Sequence, residues 1–152
     1  MTPSNPVAAA ETAQLERILE APRARVFRAW TEADEVAQWY GPGHAEIPRD
    51  GIRIEPRVGG RWEVTMILAG GRRVVAGYEI EALVDPELIV MRSDPMPEAG
   101  MPEGTVVRVE FHDLGDRTRL VLSDGPFPPR GSQHAAAGYT AALDKLAVHL
   151  SR

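Results

Sequence analysis

The chain has no cysteine. That excludes thiol catalysis, thiolate zinc sites and structural disulfides, and it fits a reducing compartment, so the expected location is cytoplasmic. It also lacks any apolar run approaching the roughly twenty residues that a membrane span requires, and no membrane partner is expected. Positive charge is in deficit, with 17 Lys and Arg against 22 Asp and Glu for a formal charge of -5. Nothing in that balance attracts nucleic acid. The Arg72-Arg73 pair follows Gly70-Gly71 and reads as the shoulder of a hairpin. Met1 to Ala10 carries no Lys, Arg or apolar run, so it resembles neither a secretory signal nor an anchor.

Catalytic signatures are missing as well. None of the serines at positions 4, 93, 123, 132 and 151 stands in Gly-x-Ser-x-Gly, which removes the hydrolase elbow. No glycine-rich segment opens a nucleotide-binding helix, and no cofactor is expected. His44, His112, His134 and His149 are too scattered for a metal pair. His112 falls at a strand end and His149 in the last turn of a helix, where surface roles account for both. His134 is the one catalytic candidate, a weak one, placed early in the final helix where an imidazole could move a proton or orient a ligand. Asp113, Asp116 and Asp124 bracket a hairpin, where Asp is favoured for turn-forming hydrogen bonds.

What is present is a clear order of elements. A first strand over 14 to 20 ends at Ala21-Pro22, because proline forces its predecessor to be extended. Val26, Phe27 and Trp30 recur at helical spacing. A second short helix, capped by Thr31 or Asp34, carries Val36, Trp39 and Tyr40 and stops at Gly41-Pro42-Gly43. The period then changes to two, and strands are expected at about 45 to 56, 61 to 68, 72 to 84, 88 to 93, 105 to 113 and 117 to 123. Their connections are mostly too short for crossover helices, which makes an antiparallel meander. The longest, Asp94 to Gly104, is rich in Pro, Met and Gly and reads as a flap. From Ser132 to Leu150, Tyr139, Ala142, Leu143, Leu146 and Leu150 form one stripe, and the large apolar face left to cover it is the concave side of the sheet. The fold class is α+β, with about seven antiparallel strands wrapped around a long C-terminal helix and two short helices after strand one. The expected organisation is a disordered tail over 1–12 and a single domain over 13–152.

The segments Glu20-Ala21-Pro22, Phe27-Arg28-Ala29-Trp30-Thr31, Trp39-Tyr40-Gly41-Pro42, Val58-Gly59-Gly60-Arg61-Trp62 and Gly77-Tyr78, in this order and spacing, resemble the bacterial homologues of the activator of the ninety-kilodalton heat-shock chaperone's ATPase. His134, Gly138 and Tyr139 resemble the final-helix pattern of that family, and the likeness runs from about Leu15 to Leu150. The family belongs to the helix-grip (SRPBCC) superfamily, with the START-like lipid-transfer domains, polyketide cyclases and birch-pollen-allergen-like proteins. The resemblance implies a helix-grip fold and a cavity between sheet and final helix. Tyr40 and Tyr139 depart from it, since relatives often carry Trp at both places, and this implies a differently shaped wall.

An empty apolar cavity of roughly 300 Å³ would cost on the order of 7 kcal/mol at about 24 cal/mol per Å³, set against a stability of only about 5–15 kcal/mol. Water or a ligand should therefore fill such a space. The expected wall consists of Trp62, Met66, Tyr78, Met91 and Phe111 on the strands, with His134 and Tyr139 on the helix. Trp30 and Trp39 are expected to pack the short helices against the sheet. Three functions follow in order. The first is a module binding a small, largely hydrophobic molecule. The second is a cyclase- or hydratase-type enzyme in the same cavity. The third is an interaction protein, as a homodimer or with a chaperone partner.

Overall fold

The computed structural model describes residues 10–152, so positions 1–9 of the tail expected over 1–12 lie outside the described residues. The elements are β1 (Glu11–Leu19), α1 (Arg23–Thr31), α2 (Ala33–Trp39), β2 (Ile52–Ile54), β3 (Arg61–Ile67), β4 (Arg73–Val84), β5 (Leu88–Ser93), β6 (Val106–Asp113), β7 (Thr118–Phe127) and α3 (Gly131–Leu150). All seven strands pair antiparallel in the order β1-β7-β6-β5-β4-β3-β2, a curved sheet with the long helix against it, as the element order implied.

The register assigns each residue to a face. Ile80, Met91, Val107, Asp124 and Ala13 stand side by side across five strands, and all are buried. The opposite, convex face is a ladder of ion pairs: Arg61 with Glu63 and Asp94, Arg92 with Glu81, Arg108 with Glu110, and Arg119 with Glu16. Such exposed pairs contribute about 0–1 kcal/mol each, so their role is to keep that face wet. Gly77 carries no Cβ because one would stand 2.5 Å from Asp94 Oδ2, directly under the Arg61–Asp94 clasp.

The concave face is closed by the two short helices and α3. Val26, Phe27, Ala29 and Trp30 form the buried side of α1. The last turn of a helix leaves carbonyls without intrahelical partners, and here two indoles satisfy them. Trp39 Nε1 donates to Ala29 O at 2.9 Å, and Trp62 Nε1 donates to Trp30 O at 2.8 Å. The first bond folds α2 back on α1, and the second fastens α1 to β3. On α3, Ala142, Leu143 and Leu146 are buried, facing β1, β7 and α2. Polar ties hold its C-terminal half. Lys145 Nζ donates to the carbonyls of Tyr40 (3.3 Å) and Pro42 (3.1 Å), and His149 Nε2 lies 2.6 Å from Glu35 Oε1, which also accepts from Arg25 at 3.0 Å. His149 is thus a part-buried link between helices and not the surface residue expected from its position.

Several boundaries differ from the sequence reading, each for a local reason. Glu11 and Thr12 belong to β1 instead of the tail, because the strand starts where Glu11 pairs with Phe127. The strand expected over 45–56 shrinks to Ile52–Ile54. Pro48 offers no ladder donor, and only the two-way Glu46–Ile67 bridge precedes the turn at 49–51. Neither Thr31 nor Asp34 caps α2. Glu32 is the N-cap and makes no side-chain cap, while the Thr31 hydroxyl bonds back to Phe27 O at 3.2 Å. β7 runs on to Phe127, four residues beyond expectation, as its register with β1 continues. Gly59 supplies a positive φ of 83°, but Gly60 is needed for space, since a Cβ there would meet Glu55 O at 2.2 Å. The 94–104 connection is fastened to itself, with Met96 and Met101 exchanging backbone bonds of 2.8 and 3.0 Å.

If the Trp62 bond fastens α1 to the sheet, Trp62→Phe keeps a ring in place but leaves Trp30 O buried and unpaired. The expected loss is about 2–4 kcal/mol, combining an orphaned acceptor with a smaller ring. Urea unfolding should show a lower midpoint at unchanged slope, and an unchanged midpoint would contradict the assignment.

Candidate functional site

All three tyrosines of the chain converge where α3 meets the concave sheet, around one carboxylate. Tyr139 comes from the apolar stripe of α3. Its hydroxyl donates to Asp124 Oδ2 at 2.8 Å. Asp124 lies on the inward side of β7, following Leu120 and Leu122 at the strand period, and is only 4% exposed. Tyr78 stands opposite Trp62 on one side and Ser93 on the other. Tyr40 directly follows α2, its ring 5.0 Å from that of Trp62, and Trp62 lies 5.7 Å from Tyr78, both pairs edge to face. Ser93 and Thr105 are buried at the rim, the Ser93 hydroxyl accepting from the Thr105 amide at 2.8 Å.

The electrostatics follow from burial. Loss of water raises the Asp124 carboxyl above its ordinary range, an effect only partly offset by hydrogen bonding from Thr105 and Tyr139. Burial likewise pushes the phenols of Tyr40 and Tyr139 far up, helped by the neighbouring Tyr78 and Asp124, and raises Tyr78. All three therefore stay neutral. Asp124 Oδ1 is buried without a hydrogen-bond partner. An orphaned buried acceptor of this kind costs about 1–3 kcal/mol, more if charged.

The expected wall residues separate into three groups. Trp62, Met91 and Phe111 are at most 2% exposed and pack as core, so the deep part of the space is solid. Met66, Tyr78 and Tyr139 are half-buried around the core; Tyr78 and Tyr139 belong to the tyrosine end, whereas Met66 lies four residues along β3 from Trp62, the partner of Tyr78. Met66 passes close to Gly41, where a Cβ would stand 3.0 Å from its sulfur. His134 is exposed, five residues before Tyr139 on α3 and so about 140° away around the helix, and the structure does not bring it to the others. Two clefts, of about 280 and 500 Å³, open elsewhere, and none of the seven expected wall residues lines either. Asp124 and Tyr40 were absent from that list. Asp124 was grouped with turn aspartates, although the alternation Leu120, Leu122, Asp124 marks it as inward-facing. Among the described residues, no group of three His, Asp or Glu side chains gathers as a metal-binding set.

Comparison with known proteins adds the following. The family described as activator of Hsp90 ATPase homolog 1-like protein matches residues 20–151. A protein of known structure from Chromobacterium violaceum is 24% identical, with a TM-score of 0.79 over 90% of this chain and 94% of that one. The AHSA1 protein from Silicibacter pomeroyi is 21% identical, with a TM-score of 0.79 over 93% and 98%. The AHSA1-like protein from Aeromonas hydrophila is 19% identical, with a TM-score of 0.78 over 93% and 92%. At these identities the likeness shows the fold alone. No curated protein matches the chain.

The carboxyl of Asp124 gives a pH test with a definite sign. Its folded pKa lies above the unfolded value near 3.8, so its contribution to stability is greatest below that value and is lost as pH rises through the folded pKa. Asp124→Asn removes this dependence. The stability of wild type minus that of Asp124→Asn should fall as pH climbs from about 3.5 to 7, measured by urea unfolding at each pH. Subtraction cancels Glu35, Asp94 and Glu110, whose carboxyls hydrogen bonding holds below their ordinary range. A difference that rose with pH would contradict the burial argument.

Proposed function

The chain belongs to the activator of Hsp90 ATPase homolog 1-like family, and on that premise we propose that it is a ligand-holding helix-grip module whose site is the tyrosine end of the space between α3 and the sheet. The ligand is a small, largely hydrophobic molecule. One observation carries the reading: the helix–sheet junction does not close as an apolar seam there. Three phenols and a carboxylate meet instead, with Tyr78 and Tyr139 not fully buried as residues and Met66 reaching Gly41 next to Tyr40. Flexible Met and amphipathic Tyr suit a wall that holds an apolar body and orients it with a few polar contacts.

The alternatives draw less support. An enzyme in the same space rests on His134 and Tyr139, and His134 is exposed on α3. An interaction module of the kind the family name suggests would use an outer face, and the convex face here carries a ladder of ion pairs in place of an apolar patch.

A cognate ligand present at about one hundred times its dissociation constant should stabilise the fold by about 2.7 kcal/mol. Thermal shift against a panel of lipids, aromatic compounds and polyketides, with native mass spectrometry of the freshly purified protein, reads this directly. The expected result is a raised melting temperature for at least one class. A panel with no stabiliser and no co-purifying mass would overturn the reading.

A further inference from the structure

We propose that the ligand carries an amine, and that this group docks on the free oxygen of Asp124 between the rings of Tyr78 and Tyr139. The inference deepens the ligand-holding reading and rests on it.

The argument starts from what the carboxylate lacks. Asp124 is 4% exposed, Oδ2 is taken by the Tyr139 hydroxyl at 2.8 Å, and Oδ1 is buried with no partner. Among the described residues no Arg, Lys or His hydrogen-bonds or ion-pairs with this carboxylate. The cations of the neighbouring elements are committed elsewhere. Arg61 is bound to Glu63 and Asp94 on the convex face, and Lys145 to the carbonyls of Tyr40 and Pro42. The site thus presents a buried acceptor, Oδ1 unpartnered and only the neutral hydroxyls of Tyr139 and Thr105 near the carboxyl, within a group of aromatic rings. The groups that complement it are limited. An apolar group would leave Oδ1 unpaired, and a carboxylate would bring a second negative charge against it. A hydroxyl would supply the hydrogen bond alone. An amine supplies the hydrogen bond, the opposite charge and an attraction for ring faces. Oδ1 is covered in this conformation, and Tyr78 and Tyr139, which are not fully buried, are the side chains that part to admit the amine.

Three probes of the same shape test the assignment by titration calorimetry at pH 7: 2-phenylethylamine, 2-phenylethanol and 3-phenylpropionate. The expected order is amine tightest, by about tenfold over the alcohol, with the carboxylate weakest. Asp124→Asn should cost the amine about tenfold or more and change the alcohol little. The wild-type comparison stands whether or not that variant folds. Should the alcohol bind as well as the amine, or Asp124→Asn keep the amine's affinity, the amine assignment is overturned while the ligand-holding reading survives. Binding of none of the three at about 1 mM also overturns it, and the wider panel then decides the broader reading.

Discussion

The two indole hydrogen bonds on the last turn of α1 are the constraint on which the rest of the molecule depends, because they convert loose helix-end carbonyls into fixed attachments. Around them runs a series of rings, edge to face except for the tilted Trp30–Trp39 pair. It passes from Phe27 to Phe111, Trp30, Trp39, Tyr40, Trp62 and Tyr78, with centroids 4.8 to 6.3 Å apart. Seven of the nine aromatic residues belong to this one series. Each such pair contributes about 0.5–1.5 kcal/mol beyond the area it buries, so the series is a major share of what holds α1 and α2 on the sheet. It also has direction. It begins in purely apolar packing and ends with two phenols beside Asp124, so the packing that stabilises the fold also places the polar site.

That arrangement gives the concave side of the sheet two unlike ends. Where Phe27, Trp30 and Phe111 meet, the interior is solid. Where Tyr40, Tyr78 and Tyr139 meet, it holds a carboxylate whose burial is unfavourable and whose second oxygen is unpaired. A leucine at position 124 would continue the row of Leu120 and Leu122 and remove the cost. Local violations of the rules of a good core tend to fall where function requires them, with the stability made up elsewhere. Here the aromatic series supplies that stability.

Much of the fold was legible because it rests on short-range signals. The two-residue period of Trp62, Val64 and Met66, the glycines at the hairpins and the stripe from Tyr139 to Leu150 each define an element without outside help. The site was less so, because depth is a tertiary property. Trp62, Met91 and Phe111 point inward as the alternation said, but which inward residues line a recess and which fill a core depends on where α3 crosses the sheet. The inward positions of Tyr78 and Tyr139 follow from the strand alternation and the helical stripe, whereas Asp124 reads as a turn residue, since the continuation of β7 past Ser123 follows from pairing with β1 and not from its own composition. His134 misled for a related reason. Its place early in the helix suggested the mouth of the space, although its angular offset from Leu143 and Leu146 set it apart from the buried stripe.

The account holds that a recess with an unsatisfied acceptor, and not a sealed core, lies between α3 and the tyrosine end of the sheet. A high-resolution crystal structure of the protein purified without added ligand tests this most directly, through the density around Asp124 Oδ1. The account predicts a water or a bound molecule within about 3.2 Å of that oxygen, with the phenols of Tyr78 and Tyr139 bordering it. An Oδ1 enclosed by protein carbon atoms, with Tyr78 and Tyr139 packed over it and no density between, would contradict it.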